Sequence, residues 1–332
     1  MSIARRLPLN PSLVTFAVLL ALFAFGSIAY PHFASWAVVR NLLVDNAFLG
    51  VAAIGATFVI LSGGIDLSIG SLMACTSILV AALIERAHIH PLAAFTIAIA
   101  GGALFGAAQG WLIARFDLPP FLVTLAGLFF ARGAAFAISP QSIGITHPFV
   151  FKTLNGDLSI PVPLVDGGLT IPIGVPVLFV VLLTTWLALR HLRLGRYIYA
   201  IGDDAAAAAL AGIPVASVRW RVYMIAGALS ALAGVLFCLY QQSGDPAACK
   251  GMELDAIAAV VIGGTLLRGG VGSVVGTFAG VLILGLIQTI IAFQGNLSSW
   301  WTRIVAGALV LLFLLLHRGM SHVIKSPGAA AE

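Results

Sequence analysis

The chain has 332 residues, 61% of them hydrophobic and only 9% charged, with a mean hydropathy of +1.09 and a formal net charge of +5. Soluble domains carry about 25% charged residues, so the composition excludes one and describes a protein that spends most of its length in lipid. A surplus of Lys and Arg would suggest nucleic acid as a partner of a soluble chain. Here the retention of positive loops on the cytoplasmic side accounts for it.

In chain order, apolar runs bounded by charge, Gly or Pro predict spans at about 11–30, 44–62, 67–84, 91–114, 119–138, 171–189, 217–242, 255–267, 272–293 and 300–317. A crossing needs ~20 apolar residues, and most of these runs approach that length. The first run follows Arg5 and Arg6 as a signal peptide would, but it is long and reads as a retained first span. The eighth is too short at ~1.5 Å per residue unless its Gly-rich end extends it or it is a broken helix. The expectation is an all-α, polytopic transmembrane bundle of about ten spans that forms one domain over residues 1–332.

Charge orients the bundle. With the N-terminus inside, eleven basic residues fall on the cytoplasmic side: Arg5, Arg6, Arg115, Arg190, Arg193, Arg196, Arg219, Arg221, Arg268, Arg318 and Lys325. Five fall outside, namely Arg40, Arg86, Lys152, Lys250 and Arg303, and Arg132 lies within a span. This bias predicts N-in and C-in.

Two connections are long enough to hold function. Residues 139–170 form a turn-rich periplasmic loop with Pro140, Pro148, Asn155, Gly156, Pro161, Pro163, Gly167 and Gly168. Residues 190–218 are cytoplasmic and contain G-D-D-A-A-A-A-A-L-A-G-I-P from Gly202 to Pro214. Gly202 with Asp203 and Asp204 reads as an N-cap, the alanines favour helix, and Gly212 with Pro214 stops it. The result is a short cytoplasmic helix, placed to act as a handle.

Between the second and third runs the chain reads L-S-G-G-I-D-L-S-I-G, so Asp66 follows a Gly63-Gly64 break. A carboxylate at membrane depth serves a pathway, a partner or a helix end. The reading preferred here is a cap on the helix beginning near Leu67, favoured by the helix dipole. Gly102, Gly106 and Gly110, and again Gly272, Gly276 and Gly280, recur every fourth residue and predict close helix packing. An echo of the break, Gly269-Gly270 through Gly276-Thr277, hints at duplication, but it and the glycine rows imply different offsets. The isolated Cys75, Cys238 and Cys249 read as apolar packing residues. No H-E-x-x-H, G-x-S-x-G or G-x-x-x-x-G-K-[ST] occurs, so catalysis by this chain is not expected.

Three stretches carry a family resemblance: S-G-G-I-D-L-S-I-G-S at 62–71, Y-A-I-G-x-x-x-x-A-A-x-x-A-G-I at 199–213, and G-x-E-L-D-A-I-A-A-V-V-I-G-G-T at 251–265 followed by G-G-V-G-S-V-x-G-T at 269–277. In this order they resemble the permease subunits of bacterial ribose-type ABC sugar importers, over roughly residues 35–320. D-N-A-F-L-G at 45–50, I-Q-T at 287–289 and L-S-S-W-W-T at 297–302 are similar to a permease of the galactofuranose importer.

The resemblance implies a non-catalytic permease in the bacterial inner membrane that binds no cofactor itself. ATP and Mg sit on a cytoplasmic double ATPase, a periplasmic protein delivers the sugar, and a paralogous permease completes a heterodimer. It implies ATPase coupling through Gly202, Asp203, Asp204, Leu210, Gly212 and Ile213, although the family usually reads G-G-N where this chain has Gly202-Asp203-Asp204. A neutral sugar suits a pore lined by hydroxyl, amide and aromatic groups, and amides and hydroxyls at lipid depth face the bundle interior, which makes Asn46, Thr57, Phe58, Gln109, Thr124 and Gln288 candidates to line the path. A ribose- or xylose-like substrate is the alternative. An ion-coupled carrier is disfavoured by the scarcity of midplane carboxylates.

Overall fold

The computed structural model describes residues 11–154, 159–160, 169–295 and 300–325. Arg5, Arg6, Asn155, Gly156, Pro161, Pro163, Gly167, Gly168 and residues 297–299 lie outside the described residues.

Helices dominate, in the order α1 (Pro11–Ala29), α2 (Trp36–Asp45), α3 (Ala47–Leu61), α4 (Ile69–Glu85), α5 (Pro91–Phe116), α6 (Pro120–Ile138), α7 (Gly174–His191), α8 (Arg193–Asp203), α9 (Ala205–Leu210), α10 (Val215–Gln241), α11 (Met252–Ile262), α12 (Val274–Gln294) and α13 (Trp300–Lys325). Two-residue strands form two antiparallel pairs, β1 (Ile143–Gly144) with β4 (Ser243–Gly244) and β2 (Ser159–Ile160) with β3 (Leu169–Thr170). Among the described helices, α5, α6, α7, α10 and α12 are each long and apolar enough to cross a membrane. The pair α2 and α3 qualifies together, bent by 51°.

α3 is buried along its whole length, as expected of a helix that is apolar all round. α10 packs beside it and against the glycine row of α5. A Cβ at Gly106 would strike the Tyr223 carbonyl, and one at Gly110 would stand 2.9 Å from the Trp220 carbonyl, so the missing side chains let two backbones touch. Gly276 and Gly280 do the same for α12 against Gly263 and Ala259 of α11. In contrast, α5 and α6 bury one stripe and expose Leu104, Phe129 and Phe130, the pattern of lipid-facing helices.

Three boundaries differ from the sequence expectation. The second run is preceded by α2 and turns at Asn46, whose Nδ2 donates to Leu42 O at 2.9 Å. The eighth is only the 11-residue α11, a half-length helix entered through 245–251. The segment 190–218 holds two helices, α8 and α9, in place of one.

The helix ends sort into two groups. One gathers Glu85 with Thr146 and His147, Arg86 with Ser139, Tyr240 with Asp45, and the β1–β4 pair. The other gathers the α3–α4 break, the α5–α6 turn, α8, α9 and residues 263–273. At that second end Arg219 Nη1 lies 3.6 Å from Asp117 Oδ1.

Candidate functional site

α9 stands out at the second end because it is short, capped at both ends and exposed. Asp204 is its N-cap, the carboxylate accepting from Ala206 N at 2.8 Å and Ala207 N at 3.0 Å. Gly212 takes φ +81°, and the N–H groups of Gly212 and Ile213 bond back to the Ala209 and Ala208 carbonyls, closing the helix as a left-handed glycine cap. Leu210 is 91% exposed, a large apolar side chain offered to whatever meets this face.

The helix therefore starts at Ala205, later than its sequence suggested. Gly202 and Asp203 belong to the last turn of α8, and Gly202 is buried. It sits where a Cβ would strike the Leu61 carbonyl and the Gly270 amide. Gly270 N in turn donates to Leu61 O at 3.0 Å, and Gly63, Gly269 and Gly270 all hold positive φ. Four glycines so bring the end of α3, the loop before α12 and the end of α8 into backbone contact. The two echoing glycine pairs of the sequence thus meet each other in space. Tyr199 OH adds a bond to Gly272 O at 3.0 Å, tying α8 to the same loop.

Gly63 and Gly64 break the chain after α3 as expected, but Asp66 is not a helix cap. Its Oδ1 accepts from Ser68 N at 2.8 Å and Ser68 Oγ at 2.7 Å, a local turn that closes before α4 begins at Ile69. The Ser68 N–H and hydroxyl are nearer donors than the free N–H groups of the first turn of α4, and the carboxylate accepts from these. Asp66 is buried, and Ser68 Oγ also lies 3.4 Å from Gln109 Oε1 of α5.

The six path candidates are spread among several places in the described bundle. Gln109 and Thr124 flank the Asp66 turn, Thr124 Oγ1 donating to Ile65 O at 3.2 Å. Thr57 shares a 2.8 Å hydroxyl contact with Thr277 of α12, and Phe58 is buried in the same helix. Asn46 sits in the α2–α3 bend, where Gly285 makes room for its amide. Gln288 is exposed on α12. Sequence reasoning left Arg132 without a partner. Its Nη1 donates to the carbonyls of Pro246 and Ala248, 2.7 Å each, and so holds the entry to α11 against α6. Tyr223, fully buried on α10 beside Gly64, was also missed, because nothing in its neighbourhood along the chain marks it.

A family model described as "Branched-chain amino acid transport system / permease component" matches residues 38–314. Among curated proteins, the inner membrane ABC transporter permease protein YjfF of Escherichia coli K12 is 47% identical, over 96% of this chain and 94% of that protein. The ribose import permease RbsC of the same strain is 39% identical over 90% and 91%. The fructose import permease FruG of Bifidobacterium longum is 32% identical over 94% and 92%. No solved structure matches the chain. A match over most of the chain, together with relatives aligned nearly end to end, leads to one conclusion: the chain belongs to the family of ABC-importer permeases that includes the ribose import permeases, and it is a multi-pass protein of the inner membrane.

Proposed function

We propose that this chain is the permease subunit of an ATP-driven importer for a monosaccharide, and that the sugar is galactofuranose. The observation that carries the importer reading is α9, a helix of six residues capped by Asp204 and Gly212, exposed to solvent and joined through the end of α8 to the four-glycine junction. Such a helix is a poor independent folding unit, and its exposed Leu210 and unpaired outer face suit a docking surface for a cytoplasmic ATPase. Asp204, Leu210, Gly212 and Ile213 present that surface, while Gly202 and Asp203 join it to the bundle.

The orientation follows from charge. The end that carries α8, α9 and the α5–α6 turn holds Arg115, Arg190, Arg193, Arg196, Arg219, Arg221 and Arg268, so it is the cytoplasmic one, with ten crossings and both termini inside. In that frame 139–170 is periplasmic and 190–218 cytoplasmic. A periplasmic binding protein supplies the sugar, a double ATPase carries ATP and Mg, and a paralogous permease pairs with this one. Asn46, Thr57, Phe58, Gln109, Thr124 and Gln288 remain the proposed polar groups toward the path, with Gln288 the one already exposed.

The choice of galactofuranose rests on the 45–50, 287–289 and 297–302 stretches. Ribose-like sugars are the second reading, favoured by the identity to the ribose permease. Uptake of labelled galactofuranose into vesicles holding the reconstituted importer, competed by unlabelled galactofuranose but not by ribose, xylose or fructose, is the expected result. Competition by ribose at equal concentration would replace the assignment with the second reading.

A further inference from the structure

The corner between α7 and α8 carries four basic side chains, Arg190, His191, Arg193 and Arg196, and all four are exposed. They converge on one spot. The Arg190 guanidinium lies 5.3 Å over the Trp186 ring, the His191 imidazole meets the same ring edge-on at 6.5 Å, and Arg196 Nη1 donates to His191 O at 3.4 Å. Arg193 opens α8 between them. Among the described residues no carboxylate is paired with Arg190, Arg193 or Arg196. Asp203, at the far end of α8, is seven residues past Arg196, ~10 Å along a helix at ~1.5 Å per residue, about the distance over which 0.1 M salt screens exposed charges. Asp204 is turned to the first N–H groups of α9. The end of α7 favours Arg190 through its dipole, but Arg193 and Arg196 stand on the positive half of α8, where the helix adds to their field.

This corner lies where a membrane-spanning helix leaves the lipid. α7 is apolar and long enough to cross, it turns Phe179, Leu183 and Leu187 outward at every fourth residue, and Trp186 stands near its end as aromatic residues do at headgroup depth. α8 then runs on with Gly195, Ile198 and Ile201 buried and Arg193 and Arg196 outward, an amphipathic helix of the kind that lies in the interface. Apolar stripe and guanidiniums are continuous. Leu187 is one turn from Arg190, and Phe179 is ~16 Å from it along the helix, the reach of most of an acyl chain.

We propose that this corner binds one diphosphatidylglycerol molecule, its two phosphodiesters held by Arg190, Arg193 and Arg196 and an acyl chain laid along the stripe of Phe179, Leu183 and Leu187. Guanidinium forks match phosphate oxygens two at a time. Arg196 spends one of its five N–H groups on His191 O, so donors remain for both phosphates. Two negative charges suit three positive ones better than a single phosphodiester, which would leave two guanidiniums unbalanced. A zwitterionic headgroup would bring a cation to a corner that has no acid to receive it.

The test is lipid retention by the full-length chain purified in detergent, delipidated and then offered diphosphatidylglycerol, phosphatidylglycerol or phosphatidylcholine, with native mass spectrometry as the readout. One diphosphatidylglycerol per chain is expected, held at least about fivefold more tightly than phosphatidylglycerol, the ratio that one further charge pair at a membrane surface supplies. Arg193→Gln should weaken retention about fivefold, and Arg190→Gln, Arg193→Gln and Arg196→Gln together about a hundredfold, at the elution volume of the parent chain. Arg190→Lys, Arg193→Lys and Arg196→Lys together keep the charge and should hold the lipid within about fivefold of the parent. If the triple Gln variant does not fold, Arg193→Gln decides alone. Equal retention of diphosphatidylglycerol and either other lipid, or undiminished retention in the Gln variants, would overturn the proposal. So would a triple Gln variant that keeps its lipid and loses co-purification of the ATPase, which would make the corner a protein contact. The lipid readouts involve neither sugar nor ATP, so failure here leaves the transport assignment standing.

Discussion

A methyl group at Gly202 would meet backbone on two sides, the Leu61 carbonyl and the Gly270 amide, and neither can swing away as a side chain does. Overpacking of this kind costs on the order of 1–3 kcal/mol. Gly202→Val is therefore expected to lower the thermal midpoint of the purified chain and to weaken sugar-stimulated ATP hydrolysis in the assembled importer; parent values for both would show that the junction tolerates bulk. Asp66 makes the opposite case, because Asn keeps the acceptor that holds Ser68 N–H and Oγ. Asp66→Asn should fold and transport with a loss of about 1 kcal/mol in stability, whereas Asp66→Leu strands two buried donors at about 1–3 kcal/mol for each unpaired group. Vesicle uptake separates the two, and a folded Asn variant without uptake would make the charge itself part of the mechanism. The sequence marked both residues but misjudged each. Gly-Asp-Asp-Ala is a capping signal locally, and only the distant Leu61 and Gly270 decide that Gly202 is buried. Asp66 stands before a helix, yet Ser68 offers it two donors before the first free turn does.

At the scale of elements, α9 is held by its ends more than by packing. The Asp204 carboxylate satisfies two of its free N–H groups, and replacing such a cap with Ala costs typically about 1 kcal/mol. At the other end Gly212 has open space around it, so a larger residue there meets no neighbour and pays only for φ +81°, about 1–2 kcal/mol for an L-residue. Asp204→Ala and Gly212→Val are thus expected to leave membrane insertion intact and to lower the thermal midpoint no more than Gly202→Val does, while reducing ATPase binding, measured by co-purification. Normal co-purification and sugar-stimulated hydrolysis in both would remove α9 from the interface. Most spans were legible within a few residues because Pro91, Pro120, Gly295 and the charged ends punctuate them chemically. The split at Asn46 was not, since Asp45 and Asn46 read as the polar start of a span and nothing local shows that a second helix precedes them at 51°. The half-length α11 was half legible. Its shortness could be read from Gly263 and Gly264, but its anchoring by Arg132 depends on carbonyls that any sequence possesses.

For the whole molecule, the two groups of helix ends give topology a test that does not depend on transport. The α8–α9 end concentrates arginine, and the opposite end is tied by Glu85 to Thr146 and His147 and by Arg86 to Ser139. If the positive-inside bias sets orientation, Ser142 faces the periplasm and Ala206 the cytoplasm, and both are exposed. In a background with Cys75, Cys238 and Cys249 replaced by Ala or Ser, a membrane-impermeant maleimide should label Ser142→Cys in intact cells. Ala206→Cys should react only after the membrane is opened. The reverse pattern would invert every crossing together, carry α9 out of reach of any cytoplasmic ATPase, and so withdraw the coupling role and the importer assignment in one measurement. Labelling at both sites in intact cells would instead mean an odd number of crossings between residues 142 and 206 is not formed, and that α7 lies along the membrane in place of crossing it.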